Sequence, residues 1–387
     1  MRELSPDPDT RFVDDQRLDR LRNRLAETDL DGLLAFAPAN SYYLTGCYAG
    51  MYSRPVVGLV TAEDSLFVGP ALEAAKADRT AWVDRVVCYE DDDDPYEVAG
   101  AAIATADAER LGVDRADARP GWVNGIDANT TATLRDATDT FLDLRMVKTD
   151  WELGMIRRAS DLAGAGAQAI IDGVRAGRPE LEVVSETQRA FYDTYLAEHP
   201  GYDIGTSNEL GQYGFASVLT GDHALEPHSI SSAREIEAGE SVVGIALPSL
   251  QGYVCEEERT VLVGDVPDTV ERGMETLVSV RNEVIDRVGP GEATDDIDAW
   301  AVERLEEAGF ADNVMHRTGH GEGVTIHEGP ALNARKPDEL RPGMVISIEP
   351  GLYFPEHGAA LRHSDTLVVT RSGSERLTHT EDGVLRA

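Results

Sequence analysis

The chain has 387 residues, which is enough for two domains with separate hydrophobic cores. It carries 71 acidic residues against 35 Lys and Arg, and a formal net charge of −36 disfavours nucleic acid as a partner. The sequence has no long uncharged apolar run and no secretory n-region, so we expect a soluble protein without a membrane span or a targeting segment.

The acidic excess is typical of a halophile surface, although binding of cationic partners is an alternative. At molar salt the Debye length falls to about 3 Å, so dense like charge costs little and keeps the surface hydrated. The three cysteines, Cys47, Cys88 and Cys255, are odd in number and far apart, which indicates reduced thiols rather than a disulfide or zinc framework. We therefore expect the protein in the high-salt cytoplasm of a halophile.

The N-terminal part alternates helical and extended patterns. Residues 11–26 have helical periodicity, and strands are predicted at 31–35, 56–60 and 65–68. This alternation predicts an α/β domain. A junction at residues 144–151 places the boundary between a domain 1–146 and a domain 147–387.

The C-terminal part groups its helices and strands instead of alternating them. Helices are predicted at 151–175, 181–198, 267–288 and 294–308, and strands at 241–247, 253–263, 345–349 and 360–370. Grouping of this kind is typical of an α+β domain.

Three consecutive glutamates lie on the predicted strand 253–263. Strand alternation places Glu256 and Glu258 on one face and Glu257 on the other. A solvated edge strand would explain the three glutamates, but the apolar residues that follow them and the preceding Gly252 favour a buried strand end. Buried carboxylates need a cation, a metal ion or a proton, so this strand is a candidate site element.

Several histidines lie next to Gly- or Pro-rich turns, among them His228, His320 and His327. His320 stands between two glycines, which allow close approach of the backbone, and this setting is typical of functional histidines. Glu349 ends an apolar strand just before a Pro-Gly turn. We predict that the three histidines are functional, and that the strand of Glu349 and the glutamate strand point several carboxylates into one cavity.

In chain order, the segment 40–46, the strand Gly252–Thr260, the Gly-His-Gly loop and the Glu349-Pro350-Gly351 turn resemble the pita-bread family of aminopeptidase P, prolidase and creatinase. The resemblance covers nearly the whole chain. It implies an α/β N-terminal creatinase-like domain followed by an α+β pita-bread catalytic domain.

Metallopeptidases of this family hold two metal ions with two aspartates, one histidine and two glutamates. The resemblance places Ile245 at the first aspartate, Glu256 at the second and Ser364 at the last glutamate, while His320 and Glu349 are retained. Hard divalent ions need several oxygen ligands. We therefore expect no dinuclear site and no cofactor, with a single weakly bound ion on Glu256, His320 and Glu349 as the alternative.

Creatinase, which hydrolyses a C–N bond without metal, resembles the remaining pattern more closely. This resemblance implies that His228 is the catalytic base and that Glu258 and Glu349 grip a cationic amidine or guanidine. His320, His327 and Glu256 would line the substrate pocket.

The resemblance also has an implication for assembly. Tyr52 and Arg54 would reach into the site of a partner subunit and hold a substrate carboxylate, so the expected active unit is a homodimer.

The main prediction is thus a metal-independent, creatinase-like hydrolase of a small zwitterionic amino-acid derivative. One alternative is a peptidase acting on Xaa-Pro dipeptides with a reduced metal site. A second alternative is a small-molecule binding protein without catalytic activity on the same scaffold.

Overall fold

The computed structural model describes residues 1–36, 38–47, 53–205, 215–333, 335 and 337–387. It divides into two units, Met1–Arg145 and Met146–Ala387, and the predicted boundary at residue 146 lies next to this division. Within the described ranges, no helix combines the length and the apolar character that crossing a membrane requires.

The N-terminal unit is built on strands and helices that alternate along the chain. Its strands are Arg2–Leu4 (β1), Gly32–Phe36 (β2), Val57–Thr61 (β3), Ser65–Pro70 (β4), Arg85–Tyr89 (β5), Arg110–Val113 (β6) and Thr133–Asp136 (β7). Its helices are Arg17–Leu25 (α1), Ala39–Thr45 (α2), Ala74–Thr80 (α3), Pro95–Ala104 (α4), Pro120–Asp127 (α5) and Thr138–Met146 (α6). The strands form one mixed sheet in the order β1-β5-β4-β3-β2-β6-β7, which confirms the predicted α/β domain.

The described part of the C-terminal unit contains four long helices and many short strands. Its helices are Asp150–Gly173 (α7), Glu180–Glu198 (α8), Asp268–Arg287 (α9) and Thr294–Glu307 (α10). Its strands are Phe215–Thr220 (β8), Ser241–Leu247 (β9), Ser249–Leu250 (β10), Tyr253–Val254 (β11), Glu257–Leu262 (β12), Gly319–Gly321 (β13), Glu328–Leu332 (β14), Val345–Ile348 (β15), Gly351–Phe354 (β16), Ala359–Arg362 (β17), Ser364–Val369 (β18), Ser374–Arg376 (β19) and Leu385–Arg386 (β20).

The main sheet of this unit runs in the order β14-β13-β15-β18-β12-β9-β8, with every neighbouring pair antiparallel. Two apolar clusters join it to the helices. One contains Ile170 of α7 and Val242 of β9, and the other contains Leu277 of α9 and Ile346 of β15, all fully buried. Burying such a side chain contributes roughly 1.5–3 kcal/mol, so the helix pairs hold the sheet in place.

Close contact between α7 and the sheet fixes which strand face is free for a site. Helix α7 begins with a capping box in which Thr149 and Glu152 satisfy each other's backbone N–H groups. A Cβ atom at Gly244 would lie 2.3 Å from Ile170, so β9 approaches this helix through a glycine. Strand alternation then turns Ile245 to the opposite face of the sheet.

Two predicted strands are interrupted in the structure. The strand 253–263 breaks before Glu257, because the Thr366 hydroxyl bonds both the backbone N–H and the backbone carbonyl of Glu256 in place of a ladder partner. The strand 360–370 likewise breaks at His363. The helix predicted at 11–26 begins only at Arg17, since Asp14 accepts from the backbone N–H of Gln16 and forms a turn there.

Candidate active site

A cavity of about 520 Å³ lies in the C-terminal unit. Its walls are contributed by several strands and the loops beside them. The lining residues are Phe215, Pro227, His228, Ile230, Ile245, Leu247, Glu256, Glu258, His320, Ile326, His327, Glu349 and Arg362. An apolar wall therefore faces three carboxylates, one guanidinium and three imidazoles, which is a typical composition for a small-molecule site.

Strand alternation sorts the three consecutive glutamates as the sequence predicts. Glu256 and Glu258 line the cavity. Glu257 points to the other face, where its carboxylate lies toward Gly164 of α7 and accepts from Arg259 at 2.6 Å. All three carboxylates are buried, so the solvated edge strand is ruled out as an explanation of this segment.

The two glycines around His320 are needed because the backbones of the neighbouring strands β14 and β15 lie too close to β13 for a side chain at these positions. A Cβ atom at Gly319 would lie 2.0 Å from the Ser347 carbonyl oxygen, and one at Gly321 would lie 2.2 Å from the Gly329 carbonyl oxygen. His320 is the residue of this strand that carries a side chain, and it is 1% exposed. The Gly-His-Gly sequence thus delivers one imidazole into the middle of the cavity wall.

The hydrogen bonding of His320 indicates a cation site. Its Nδ1 lies 3.2 Å from the Gly321 carbonyl oxygen, which can only accept, so Nδ1 carries the proton and Nε2 presents a lone pair. That Nε2 lies 3.4 Å from Glu349 Oε1 and 3.9 Å from Glu256 Oε2. One ligand atom from each of these three residues lies within 4.8 Å of the others. Three electron-pair donors that converge in this way call for a positive charge between them.

Burial and mutual repulsion shift the acidities in this cluster. Burial, with the charge of Glu349, raises the pKa of Glu256 to about 8, and burial with the charge of Glu258 raises the pKa of Glu349 to about 8. Burial lowers the pKa of His320 to about 3, so the imidazole stays neutral and is suited to bind a metal ion. Without a cation, the carboxylates would retain protons near neutral pH.

Glu258 differs from the other two carboxylates because it already has a cationic partner. Arg362 places Nε at 2.6 Å from Glu258 Oε2 and Nη2 at 2.7 Å from Glu258 Oε1. The pKa of Arg362 is raised above its usual range, because the effect of Glu258, Tyr353 and Glu349 is larger than the opposing effect of burial. The guanidinium therefore stays charged. The cavity therefore holds one carboxylate paired internally and two that face His320.

The structure brings together most of the predicted site residues. His228, Glu256, Glu258, His320, His327 and Glu349 all line the cavity. The ring centroids of His320 and His327 are 4.5 Å apart, and those of His228 and His327 are 6.5 Å apart, which forms a row of imidazoles.

The predicted pair from the N-terminal domain has a different outcome. Tyr52 lies outside the described residues. Arg54 forms an ion pair with Asp91 within the N-terminal unit. Their role in the site of a partner subunit, and the homodimer that depends on it, remain predictions.

Sequence reasoning missed two charged residues near the site. Arg362 lies two residues before Ser364 and carried no motif of its own. Glu322 follows the Gly-His-Gly loop and is fully buried, with Oε2 3.1 Å from the Thr366 hydroxyl. Burial, with the charge of Glu256, raises the pKa of Glu322 well above its usual range, which favours a protonated carboxyl. A charged residue inside an otherwise apolar, glycine-rich strand segment was the available signal.

Comparison with known proteins assigns the chain to a family. Residues 154–371, more than half of the chain, match the metallopeptidase family M24, and residues 17–147 match the creatinase/prolidase N-terminal domain. The chain belongs to the metallopeptidase family M24. It therefore has the creatinase/prolidase two-domain architecture that the sequence predicted, with a pita-bread C-terminal domain.

Relatives and solved structures agree over nearly the full length. The chain is 28% identical over 379 residues to an Xaa-Pro dipeptidase of Pyrococcus furiosus, covering 96% of this chain and 99% of the relative. It is also 28% identical over 370 residues to an Xaa-Pro dipeptidase of Lactobacillus delbrueckii, covering 94% and 96%. The structure of dipeptidase PepE from Mycobacterium ulcerans matches with a TM-score of 0.82 at 26% identity, covering 98% and 99%.

These findings overturn the predicted creatinase-like activity. The relatives named above are Xaa-Pro dipeptidases and a dipeptidase, and they favour the peptidase alternative. The structure offers a physical reason for the error. Glu258 was expected to grip a cationic substrate, but it is occupied by Arg362.

The residues present fit one metal ion but not the two of the family pattern. Ile245 and Ser364 stand directly opposite Glu258 on the two neighbouring strands. Ile245 has no ligand atom, and the Ser364 hydroxyl lies 2.6 Å from the Ser347 hydroxyl. Glu256, His320 and Glu349 supply three ligands of the types that divalent ions accept, with room for a substrate or water beside them.

Proposed function

We propose that the protein is a metal-dependent peptidase that cleaves Xaa-Pro dipeptides and uses a single divalent ion held by Glu256, His320 and Glu349. The observation that carries this proposal is the convergence of His320 Nε2, Glu349 Oε1 and Glu256 Oε2 on one point of the cavity wall, with the His320 Nδ1 turned away toward the Gly321 carbonyl oxygen. The names of the full-length relatives support the substrate class.

A bound ion would supply an electrophile and lower the pKa of a coordinated water. The chain itself would bind the dipeptide and exclude water. Ile245, Leu247, Phe215 and Ile326 form an apolar wall suited to a pyrrolidine ring, and the missing aspartate at Ile245 extends this wall.

Proton transfer would fall to the imidazoles on the cavity wall. His228 is exposed and lines the cavity, where it can exchange protons with bulk water. Once it has taken a proton from water, this imidazole can give it to the nitrogen that leaves as the peptide bond breaks, and it returns to its neutral form.

The test begins with metal removal by a chelator and dialysis. Hydrolysis of a panel of Xaa-Pro dipeptides is then followed as Mn²⁺, Co²⁺ or Zn²⁺ is added back, with matched Xaa-Ala dipeptides as the substrate control. We expect hydrolysis of Xaa-Pro substrates to disappear on chelation and to return with one of these ions. His228→Ala should lower kcat by about 10²–10⁴-fold while the metal content stays unchanged.

Hydrolysis that persists undiminished in the chelated protein would contradict the metal dependence. Failure to cleave any Xaa-Pro dipeptide with any of the ions would contradict the substrate class.

A further inference from the structure

We propose that the Glu258–Arg362 ion pair takes the place of a second metal ion, so that the cavity binds one divalent ion per chain. This inference rests on the proposed function, because it assumes the ion site of Glu256, His320 and Glu349. It gives Glu258 and Arg362 a role in setting the number of bound ions, and no sequence motif had indicated Arg362.

The first support is the geometry of the pair. Arg362 contacts both carboxylate oxygens of Glu258, through Nε at 2.6 Å and Nη2 at 2.7 Å. The side chains are 7% and 2% exposed. The Nη2–Oε1 contact is a charge-assisted hydrogen bond and the Nε–Oε2 contact is a close ion-pair contact, so the buried guanidinium lies against both carboxylate oxygens that an ion would need.

The second support is the place of the pair in the sheet. Glu258 of β12 lies between Ile245 of β9 and Ser364 of β18 in the register. These are the two positions at which ligands of a second ion are missing. The cation of Arg362 thus lies beside the gap that their loss leaves.

The third support is that the backbone holds Arg362 in this position. The Thr260 hydroxyl accepts from the Arg362 backbone N–H at 2.9 Å and lies 2.9 Å from the Arg362 carbonyl oxygen. Thr260 is two residues beyond Glu258 on the same strand. The segment that supplies the carboxylate therefore also positions its cationic partner.

The charges in the cavity balance for one ion. The ionised carboxylates of Glu256, Glu258 and Glu349 carry three negative charges, and Arg362 removes one of them. A single divalent ion neutralises the remaining two. A second divalent ion would leave the buried cavity with a net positive charge, which a low-dielectric site disfavours.

The test is the number of ions bound, measured by Mn²⁺ titration calorimetry and by elemental analysis of the full-length chain. The wild type should bind one Mn²⁺ per chain. Arg362→Gln frees Glu258 and should bind more than one, approaching two at millimolar Mn²⁺. The double variant Glu258→Gln/Arg362→Gln restores the charge balance and should return to one.

Two further variants complete the design. Arg362→Lys keeps the charge and should still bind one ion. Arg189→Gln removes an exposed arginine that does not line the cavity, so it is the matched control and should also bind one. If Arg362→Gln does not fold, the Mn²⁺ affinity of Glu258→Gln is measured instead. It leaves Arg362 unpaired beside the ion, and Mn²⁺ affinity should fall about tenfold or more.

Two ions in the wild type, one ion in folded Arg362→Gln, or unchanged affinity in Glu258→Gln would each overturn the inference. Xaa-Pro hydrolysis by a wild type with two ions would leave the proposed peptidase activity intact. A wild type that binds one ion, gains a second in Arg362→Gln and hydrolyses no Xaa-Pro dipeptide would uphold the inference and overturn the proposed substrate class. No Mn²⁺ bound to the wild type would overturn both proposals.

Discussion

Glu349 meets opposing demands from binding and from stability. Burial and the charge of Glu258 raise its pKa to about 8, so its ionised form is disfavoured in the folded, metal-free protein. The same ionised form is the one that binds a cation. A residue that destabilises the empty fold in order to bind a ligand is typical of a functional site.

Glu349→Gln should separate these two effects. We expect the variant to lose Mn²⁺ binding and Xaa-Pro hydrolysis, because an amide is a poor ligand for a divalent ion. In chelator at pH 9 the melting temperature of the variant should exceed that of the wild type, because a buried negative charge has been removed. Each kcal/mol gained in unfolding free energy should raise the melting temperature by roughly 2–4 °C. Glu356→Gln changes an exposed glutamate and is the control, for which neither quantity should move. A lower melting temperature for Glu349→Gln would contradict the predicted repulsion.

The same groups predict how stability depends on pH when metal is absent. In the folded state burial raises the pKa values of Glu256 and Glu349 to about 8, against an ordinary value of 4.5. Groups whose pKa is raised by folding contribute stability that is present below pH 4.5 and is lost as the pH rises through about 8.

Chemical denaturation in chelator between pH 5 and pH 9 should show this loss. A loss of roughly 1.4 kcal/mol per pH unit corresponds to one proton released on unfolding. We expect at least this slope between pH 5 and pH 8, and a smaller one above pH 8, where the folded state has also lost these protons. Glu256→Gln should flatten it. A stability that rises across this interval would show that the carboxylates are ionised in the empty site.

How far the site could be predicted differs from residue to residue. His320 and Glu349 were found because glycines and a strand end mark them, and Glu256 and Glu258 because alternation sorts a run of glutamates. Arg362 was missed, since a pair formed between different strands leaves no local pattern.

At the scale of secondary-structure elements, β12 has a different chemistry on each face. Toward the cavity it presents Glu258. Away from it, Arg259 Nη2 lies 2.6 Å from Glu257 and 3.0 Å from Asp365, with all three side chains fully buried. The strand therefore depends on a buried charge network on the face that has no part in binding.

Arg259→Met tests that network. Removing the guanidinium leaves the Glu257 carboxylate buried without its cationic partner, which typically costs about 3–5 kcal/mol of unfolding free energy. Arg304→Met removes an exposed arginine paired with Glu307 and should cost less than about 1 kcal/mol. Urea denaturation measures both values, and a loss below 1 kcal/mol for Arg259→Met would contradict this role.

The sequence did not predict the shortest strands, or the breaks at which a side chain takes the hydrogen bonds of the strand backbone. β13 has three residues and two glycines, so neither length nor alternation indicates a strand. The break before β12 arises from the Thr366 hydroxyl, which is distant in sequence from Glu256. Long helices such as α7 and α9 were predictable because periodicity over many residues averages out such local effects.

At the scale of the whole molecule, the net charge of −36 dominates the surface. Exposed pairs such as Arg189–Asp193 are weakened by salt, which lowers stability slightly. With 71 acidic residues against 35 basic ones, repulsion between carboxylates outweighs these attractions. Screening should therefore stabilise the folded state as salt is added.

The melting temperature should rise between 0.1 M and 1 M KCl, on the order of 5–10 °C. Most of the rise should come before 1 M, because the Debye length has then fallen to about 3 Å and further salt screens little more. Sucrose at matched osmolality is the control, since it favours the compact state by exclusion without screening charge. If sucrose reproduces the whole rise, exclusion rather than screening stabilises the protein. A melting temperature that falls with KCl would mean that its ion pairs contribute more than the repulsion between its acidic residues.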